Sequence, residues 1–183
     1  FDVTGKLVFY AYQEWGYFND KTADEKEAML FDAERFRKIL FSLCHKVMEQ
    51  AGVSADDIAA VSATSQREGM VWLDSSGKEI YAAPSVDLRG ATVVESLLEK
   101  ETLIKQITGL PVSGMFGASR LLWYKHFNER VYEKLDTVLM ISDWICYLLC
   151  GNRVSEPSIA SSSQMFDIRE NKWSNKIEKM LGI

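Results

Sequence analysis

The sequence predicts an α/β domain, a sheet covered by helices. Short apolar runs bounded by turn residues recur at Lys6–Gln13, Ile58–Ser65, Gly69–Asp74 and Glu79–Ala82, the pattern of strands. An amphipathic helix of about 20 residues separates the first two runs, and strand–helix–strand order places a helix over a sheet. Ser76-Gly77 punctuates the last two runs as a hairpin, Met70 to Ala82.

Asp2 to Gly5 reads as a turn ahead of the first strand, with Phe1 the stub of an earlier one. Trp15 to Lys26 is polar and mixed, a surface loop. Asp32 is placed to cap a helix that carries Phe36, Ile39, Leu40, Leu43, Val47 and Met48 at helical spacing and stops at Gly52. Ser54–Asp57 links it to the Ile58 strand. After Arg89 the chain turns helical on Val93, Val94, Leu97, Leu98, Ile104 and Ile107, with a break around Lys100–Thr102 and a stop at Thr108–Pro111. Val112–Ser119 is a Gly- and Ser-rich loop of the kind that can approach a ligand closely. Arg120–Phe127 is helical and Asn128–Lys134 continues so. Thr137–Ile141 reads as a strand, Ser142 as the cap of a helix ending at Gly151, Ser155–Ser163 as a loop into a helical turn, Gln164–Arg169 as a strand, and Trp173–Leu181 as a closing helix capped by Ser174.

Composition narrows the function. The 183 residues carry a net charge of −5 with no basic block, which argues against a nucleic-acid or anionic-membrane surface. No run approaches the roughly 18 apolar residues of a membrane span, and the first residues lack the basic flank and apolar stretch of a signal peptide. Three cysteines, Cys44, Cys146 and Cys150, an odd number in helical surroundings, read as reduced, intracellular thiols, and the expected location is cytoplasmic. His45 and His126 belong to no His/Cys/Asp cluster, so no zinc site is expected. No Gly-x-x-x-x-Gly-Lys-Ser/Thr phosphate loop occurs.

The chemistry concentrates after the Ile58 strand. Arg67-Glu68 follows a buried-looking run directly, and such residues are seldom buried unless paired. They are either a structural ion pair at the sheet rim or a polar patch that holds a polar ligand.

Several stretches then resemble the first domain of the FGGY carbohydrate kinases: DIAAVSATSQREG, VDLRG, TGLPVSGMFGASRLLWYK, YEKLDTVLMISDWICYLLCGN and SEPSIASSSQMFDIRENKWS, in the family's order over essentially the whole chain. The resemblance implies a ribonuclease H-like, actin-like ATPase fold, a mixed sheet flanked by helices and lacking its first strand. Residues 1–183 would then be most of the N-terminal, substrate-side domain of a two-domain sugar kinase, with the C-terminal nucleotide-side domain outside this chain. It implies ATP- and Mg2+-dependent transfer of phosphate to a hydroxyl of a small polyhydroxy substrate, with no nucleic-acid or membrane partner and a homodimer as a candidate assembly. The Asp-x-Gly-Thr phosphate loop would precede Phe1 and the catalytic aspartate would follow Ile183, so no catalytic residue is assigned here and the piece alone is expected to be inactive.

The substrate-binding positions that the resemblance implies are Gln66, Arg67, Glu68, Asp87, Arg89 and Met115. Gln66-Arg67-Glu68 is similar to the Asn-Gln-Arg-Glu segment of glycerol kinases, whose Arg and Glu contact polyol hydroxyls. Asp87 and Arg89 fall in the family's Trp-x-Asp-x-Arg-like block, with Ser85 in the place of the tryptophan, and would line or brace the same site. Met115 falls where glycerol kinases carry a substrate-contacting tyrosine. SATSQREG, VDLRG and MISDW are most similar to the branch that phosphorylates a quorum-sensing autoinducer derived from dihydroxy-pentanedione. A glycerol or pentitol kinase, or a non-catalytic binding domain of the same fold, are the alternatives.

Overall fold

A computed structural model describes all of residues 1–183. Its centre is a three-stranded antiparallel sheet. Numbering follows two short strands nearer the N-terminus, β1 (Phe18–Asn19) and β2 (Met29–Leu30), which pair with each other. The central strands are β3 (Met70–Leu73), β4 (Glu79–Ala83) and β5 (Thr137–Met140), in the order β4-β3-β5. The expected hairpin is present: Asp74 Oδ1 accepts from Ser76 N at 2.9 Å, Ser76 Oγ at 2.6 Å and Lys78 N at 3.0 Å, and Gly77 takes φ +85°.

β3 is buried on both faces, which explains why its sequence, MVWL, is continuously apolar rather than alternating. Met70 and Trp72 face a cluster with Tyr81, Ala83, Leu121, Tyr124 and Met140. Val71 and Leu73 face the other side with Phe31, Ala82, Leu139, Ile141 and Trp144. Helices cover both. α1 (Ala33–Ala51) is capped by Asp32, whose carboxylate accepts from Arg35 N at 2.9 Å, and it ends at Gly52 in the left-handed region, as its sequence requires. A 3-10 helix, Arg89–Lys100, leads into α2 (Glu101–Thr108), so the expected break near Lys100 is a change of helix type. α3 (Gly117–Phe127), α4 (Glu129–Tyr132), α5 (Ile141–Cys150), α6 (Pro157–Ala160), the strand pair β6 (Phe166–Asp167) and β7 (Lys172–Trp173), and α7 (Asn175–Leu181) complete the chain.

Four expectations are corrected. Lys6–Gln13 and Ile58–Ser65 form no regular element and pair with no strand. An apolar run reports the tendency to extend and be buried, whereas a ladder also needs a neighbour, and Leu7 (49% exposed) and Val61 (53%) have no cover. The Trp15–Lys26 stretch is not all loop, because β1 closes against β2. Ser142 does not cap α5: β5 passes straight into the helix, Met140 takes the cap position, and Ser142 lies inside. Of the expected Gln164–Arg169 strand only Phe166–Asp167 pairs, and Trp173 joins β7, leaving Ser174 as the cap of α7.

Gly114 of the 112–119 loop serves close approach, but to the protein's own backbone. A Cβ on Gly114 would lie 2.4 Å from Ala91 N and 2.5 Å from Ala91 Cα, at the start of the 3-10 helix, and one on Gly90 would lie 2.6 Å from Gly114 O. Neither contact is with a flexible side chain that could move away. Gly114→Ala is therefore expected to cost about 1–3 kcal/mol, read as a lower urea midpoint at unchanged slope; an unshifted midpoint would show that the loop yields freely.

Candidate substrate site

Ser65–Gly69 joins the irregular 58–65 segment to β3 and is anchored at both ends by the start of α5. Ser142 N donates to Ser65 Oγ at 3.0 Å, and Ile141 N donates to the Gly69 carbonyl at 3.2 Å. The first two amides of α5, which have no partner within their own helix, thus hold the turn. Gly69 packs closely there: a Cβ would meet Ile141 Cδ1 at 2.6 Å, so a larger residue would displace the Ile141 side chain.

Within this bracket Glu68 adopts φ +59°, and Gly69 N donates to Arg67 O at 2.7 Å, closing a three-residue turn around it. A γ-turn with positive φ at its centre is the rare, strained hand. Such a conformation at a non-glycine residue costs of order 1–3 kcal/mol and persists where its surroundings over-determine it.

The backbone of this segment is tied down while its side-chain ends are free. Gln66 Oε1 accepts from Ser85 N at 2.9 Å and Ser85 Oγ at 2.7 Å. Because a backbone N–H can only donate, the atom facing Ser85 N is the amide oxygen, and the Gln66 NH2 is turned away from Ser85. That NH2, the Arg67 guanidinium and the Glu68 carboxylate form no hydrogen bond or ion pair within the chain, and none of their polar atoms is sealed from solvent. The three side chains present a donor, a charged planar donor and a charged acceptor in sequence. Partial burial pushes the Glu68 carboxyl above its usual value, and the charges of Arg67 and Arg120 pull it part of the way back. The alternative of a rim salt bridge is not realised: no Arg67–Glu68 ion pair forms.

Asp87 and Arg89 lie behind this surface. Both are 0% exposed. Asp87 accepts from Arg89 Nε (3.0 and 2.8 Å to its two oxygens), Met29 N (3.1 Å) and the Tyr81 hydroxyl. Arg89 Nη1 donates to Asp20 Oδ2 at 2.9 Å and Tyr124 Oη at 2.7 Å, and its guanidinium sits 5.0–5.3 Å from the ring centroids of Tyr81, Trp123 and Tyr124. Burial opposes ionisation of Asp20, but the Thr22 hydroxyl and amide and Arg89 outweigh it, and its carboxyl lies below the usual range. Burial raises the Tyr81 and Tyr124 phenols, so both keep their protons; Tyr81 donates to Asp87, and Tyr124 accepts from Arg89. Neither Asp87 nor Arg89 offers surface to a ligand; in this structure they brace the 84–89 segment that carries Ser85. Met115 is half-buried on the loop before α3, with no hydrogen bond to the 66–68 turn; its amide lies 3.5 Å from Ser113 Oγ.

Sequence reasoning missed Arg120 and Ser162, and it took Asp143 only as a helix-start residue. Arg120 on α3, 0% exposed, donates from Nη1 to Glu68 O at 2.8 Å and from Nη2 to Ser85 O at 3.2 Å, with Nε 4.0 Å from Asp87 Oδ2. Its signal was its setting: every residue from Gly117 to Tyr124 is buried, so a cation there must be internally paired. Ser162 Oγ accepts from Glu68 N at 3.4 Å. Asp143 lines a cleft of about 410 Å³ together with Ser62, Thr64, Ser142, Ser155 and Glu156. Its Oδ1 accepts from Glu156 N at 3.2 Å, while its buried Oδ2 has no partner, and burial pushes its carboxyl up.

The sign for Asp143 follows from linkage. A carboxyl whose folded pKa is raised keeps its full contribution below the unfolded value near 3.8 and loses stability as pH rises through the folded value. Asp143→Asn is therefore expected to match the parent protein at pH 3.5 and to unfold a few degrees higher at pH 7, roughly 2–4 °C for each kcal/mol gained. Equal differences at both pH values in thermal melts would count against it.

No group of three or more His, Cys, Asp or Glu side chains is arranged to hold a metal. No helix is long and apolar enough to cross a membrane.

The fold is that of the sugar kinases. The chain belongs to the FGGY family of carbohydrate kinases: the profile of the family's N-terminal domain matches residues 1–183. It is 31% identical to an autoinducer-2 kinase of Salmonella typhimurium over an alignment of 188 positions, which covers 100% of this chain and 35% of that protein. Among solved structures, it superposes on a xylulose kinase from Brucella ovis with a TM-score of 0.89 at 18% identity (100% of this chain, 37% of that one). It also superposes on a glycerol kinase from Plasmodium falciparum with a TM-score of 0.75 at 21% identity (90% and 35%). The chain thus spans about a third of the length of the curated relatives it matches. The helix-flanked, open sheet is the architecture of these sugar kinases.

Proposed function

We propose that this chain provides the acceptor side of an ATP- and Mg2+-dependent carbohydrate kinase, binding a small polyhydroxy compound through Gln66, Arg67 and Glu68. The observation that supports this most directly is the division of labour in the turn: Ser65, Glu68 and Gly69 are held through hydrogen bonds to α5, Arg120 and Ser162, while the Gln66 NH2, the Arg67 guanidinium and the Glu68 carboxylate are left without internal partners. A carboxylate can accept from two neighbouring hydroxyls, and a guanidinium donates in a fixed fork. A substrate lacking one of those hydroxyls would leave a polar group of the site unpaired, which is a strong basis for rejecting it.

When bound, nucleotide and metal would supply the phosphoryl group and offset its charge. The residues of this chain would hold the acceptor so that one hydroxyl oxygen is directed at phosphorus. Asp87 and Arg89 act in this reading as the brace beneath Ser85, and Met115 as an apolar wall. Similarity to autoinducer-2 kinases supports a sugar-like autoinducer over glycerol, as do Ser85 and Met115 in place of the tryptophan and tyrosine of glycerol kinases. Three free thiols support a reducing, cytoplasmic setting.

The test is ADP release by the intact protein that carries this chain. It is run with Mg-ATP against glycerol, erythritol, pentitols, xylulose, ribulose and dihydroxy-pentanedione, with Glu68→Ala as control. Turnover on dihydroxy-pentanedione that the control loses is the expected result. Turnover that survives in Glu68→Ala removes Glu68 from the site, and turnover on glycerol alone removes the autoinducer assignment.

A further inference from the structure

Glu68 sits in a conformation that an L-residue rarely adopts, and two buried groups grip its peptide from opposite ends. Arg120 binds its carbonyl at 2.8 Å, and Ser162 Oγ accepts from its N–H at 3.4 Å while donating to Ile159 O at 2.8 Å. Arg120 reaches a second segment with the same rigid plane, the Ser85 carbonyl at 3.2 Å, and Ser85 is the residue that orients Gln66. The spacing between the outward groups of Gln66 and Glu68 is therefore set from behind by one guanidinium. Both gripping residues are nearly or wholly buried, at 0% and 3% exposed, so neither can reach a ligand itself.

We propose that Arg120 and Ser162 are positioning residues of the substrate site. They clamp the Glu68 turn so that its carboxylate and the Gln66 amide meet the acceptor at a fixed separation. The proposal rests on the reading of Glu68 as a substrate ligand. A lysine at 120 keeps the charge but offers a compact ammonium in place of a planar fork, so it cannot reproduce both carbonyl bonds with the same geometry.

The experiment uses the intact protein with Arg120→Lys, Ser162→Ala, Glu68→Ala and the double variant Arg120→Lys/Glu68→Ala. The expected result is a KM for the acceptor raised about tenfold or more in each single variant, with KM for ATP within about twofold of the parent. In the Glu68→Ala background Arg120→Lys should add clearly less than it does in the parent, because coupled residues are non-additive and only its hold on Ser85 and Gln66 remains. An unchanged acceptor KM in folded Arg120→Lys and Ser162→Ala, or full additivity in the double variant, overturns the clamp. Should Arg120→Lys fail to fold, Ser162→Ala, which deletes one hydroxyl, decides alone. If Glu68→Ala itself leaves the acceptor KM unchanged, the ligand reading of Glu68 falls and the clamp with it. If only Glu68→Ala has an effect, the clamp falls and the ligand reading stands.

Discussion

Glu68→Gln is expected to lose about 100-fold in kcat/KM for the acceptor, since a charge-assisted hydrogen bond contributes roughly 1.5–3 kcal/mol and the amide replaces one acceptor oxygen by a donor. The pH dependence makes the test sharper. Burial raises the Glu68 carboxyl above its ordinary value of 4.5, and only the ionised form accepts from two hydroxyls. In the parent protein kcat/KM should fall as pH is lowered through that raised value; in Glu68→Gln this limb should be absent. Stability runs the other way over the same window. A raised folded pKa means stability is fully present below the unfolded value and is lost as pH rises through the folded one. The parent should therefore gain activity and lose a little stability as Glu68 ionises, and Glu68→Gln should do neither. An acidic limb that persists in the Gln variant would assign it to another group.

Arg89→Met is the substitution with the largest expected effect on stability. Arg89 is the cation between Asp87, at 2.8 Å, and Asp20, at 2.9 Å, and Asp87 and Arg89 have no solvent to fall back on. Removing one partner of a buried pair typically costs about 3–5 kcal/mol because an uncompensated charge remains. That is a large share of the roughly 5–15 kcal/mol of a folded protein. The urea midpoint of the intact protein should drop accordingly or soluble protein should be lost. Adding Asp20→Asn and Asp87→Asn to Arg89→Met should recover part of the loss, since the penalty lies in the stranded carboxylates. A single variant that shifts the midpoint no more than a surface change, about 0.5 kcal/mol, would show that water or rearrangement compensates.

Local chemistry was legible in the sequence and long-range partnership was not. Asp32 and Gly52 bound α1 where their side-chain and backbone preferences put them. The Asp74–Lys78 hairpin turn is written in five adjacent residues. Ile58–Ser65 and Lys6–Gln13 show the limit: their composition demands extension, but no local rule supplies a pairing strand. Ser142 failed as a cap because β5 enters α5 without a loop, and the partner of its amide, Ser65, is 77 residues away. In the site, Arg67 and Glu68 stood out by charge after an apolar run, and Gln66 only through the family resemblance. Their supports did not, because Arg120 meets Glu68 across 52 residues and Ser162 meets it across 94. Asp87 and Arg89 were visible as a spaced pair, but only the enclosing rings of Tyr81, Trp123 and Tyr124 separate a brace from a lining residue.

The anchoring of Ser65 and Gly69 on two consecutive amides of α5 has a consequence for how this region can diverge. The two attachment points, Ile141 and Ser142, are about 3.8 Å apart from Cα to Cα, fixed by a helix that cannot stretch. The segment between them behaves as a cassette of set length. An added or deleted residue has nowhere to bulge, because Gly69 already touches Ile141 and Gln66 is tied to Ser85. New ligand preferences in this scaffold would then arise by exchanging side chains at 66, 67 and 68, while insertions are confined to segments free of such double attachment.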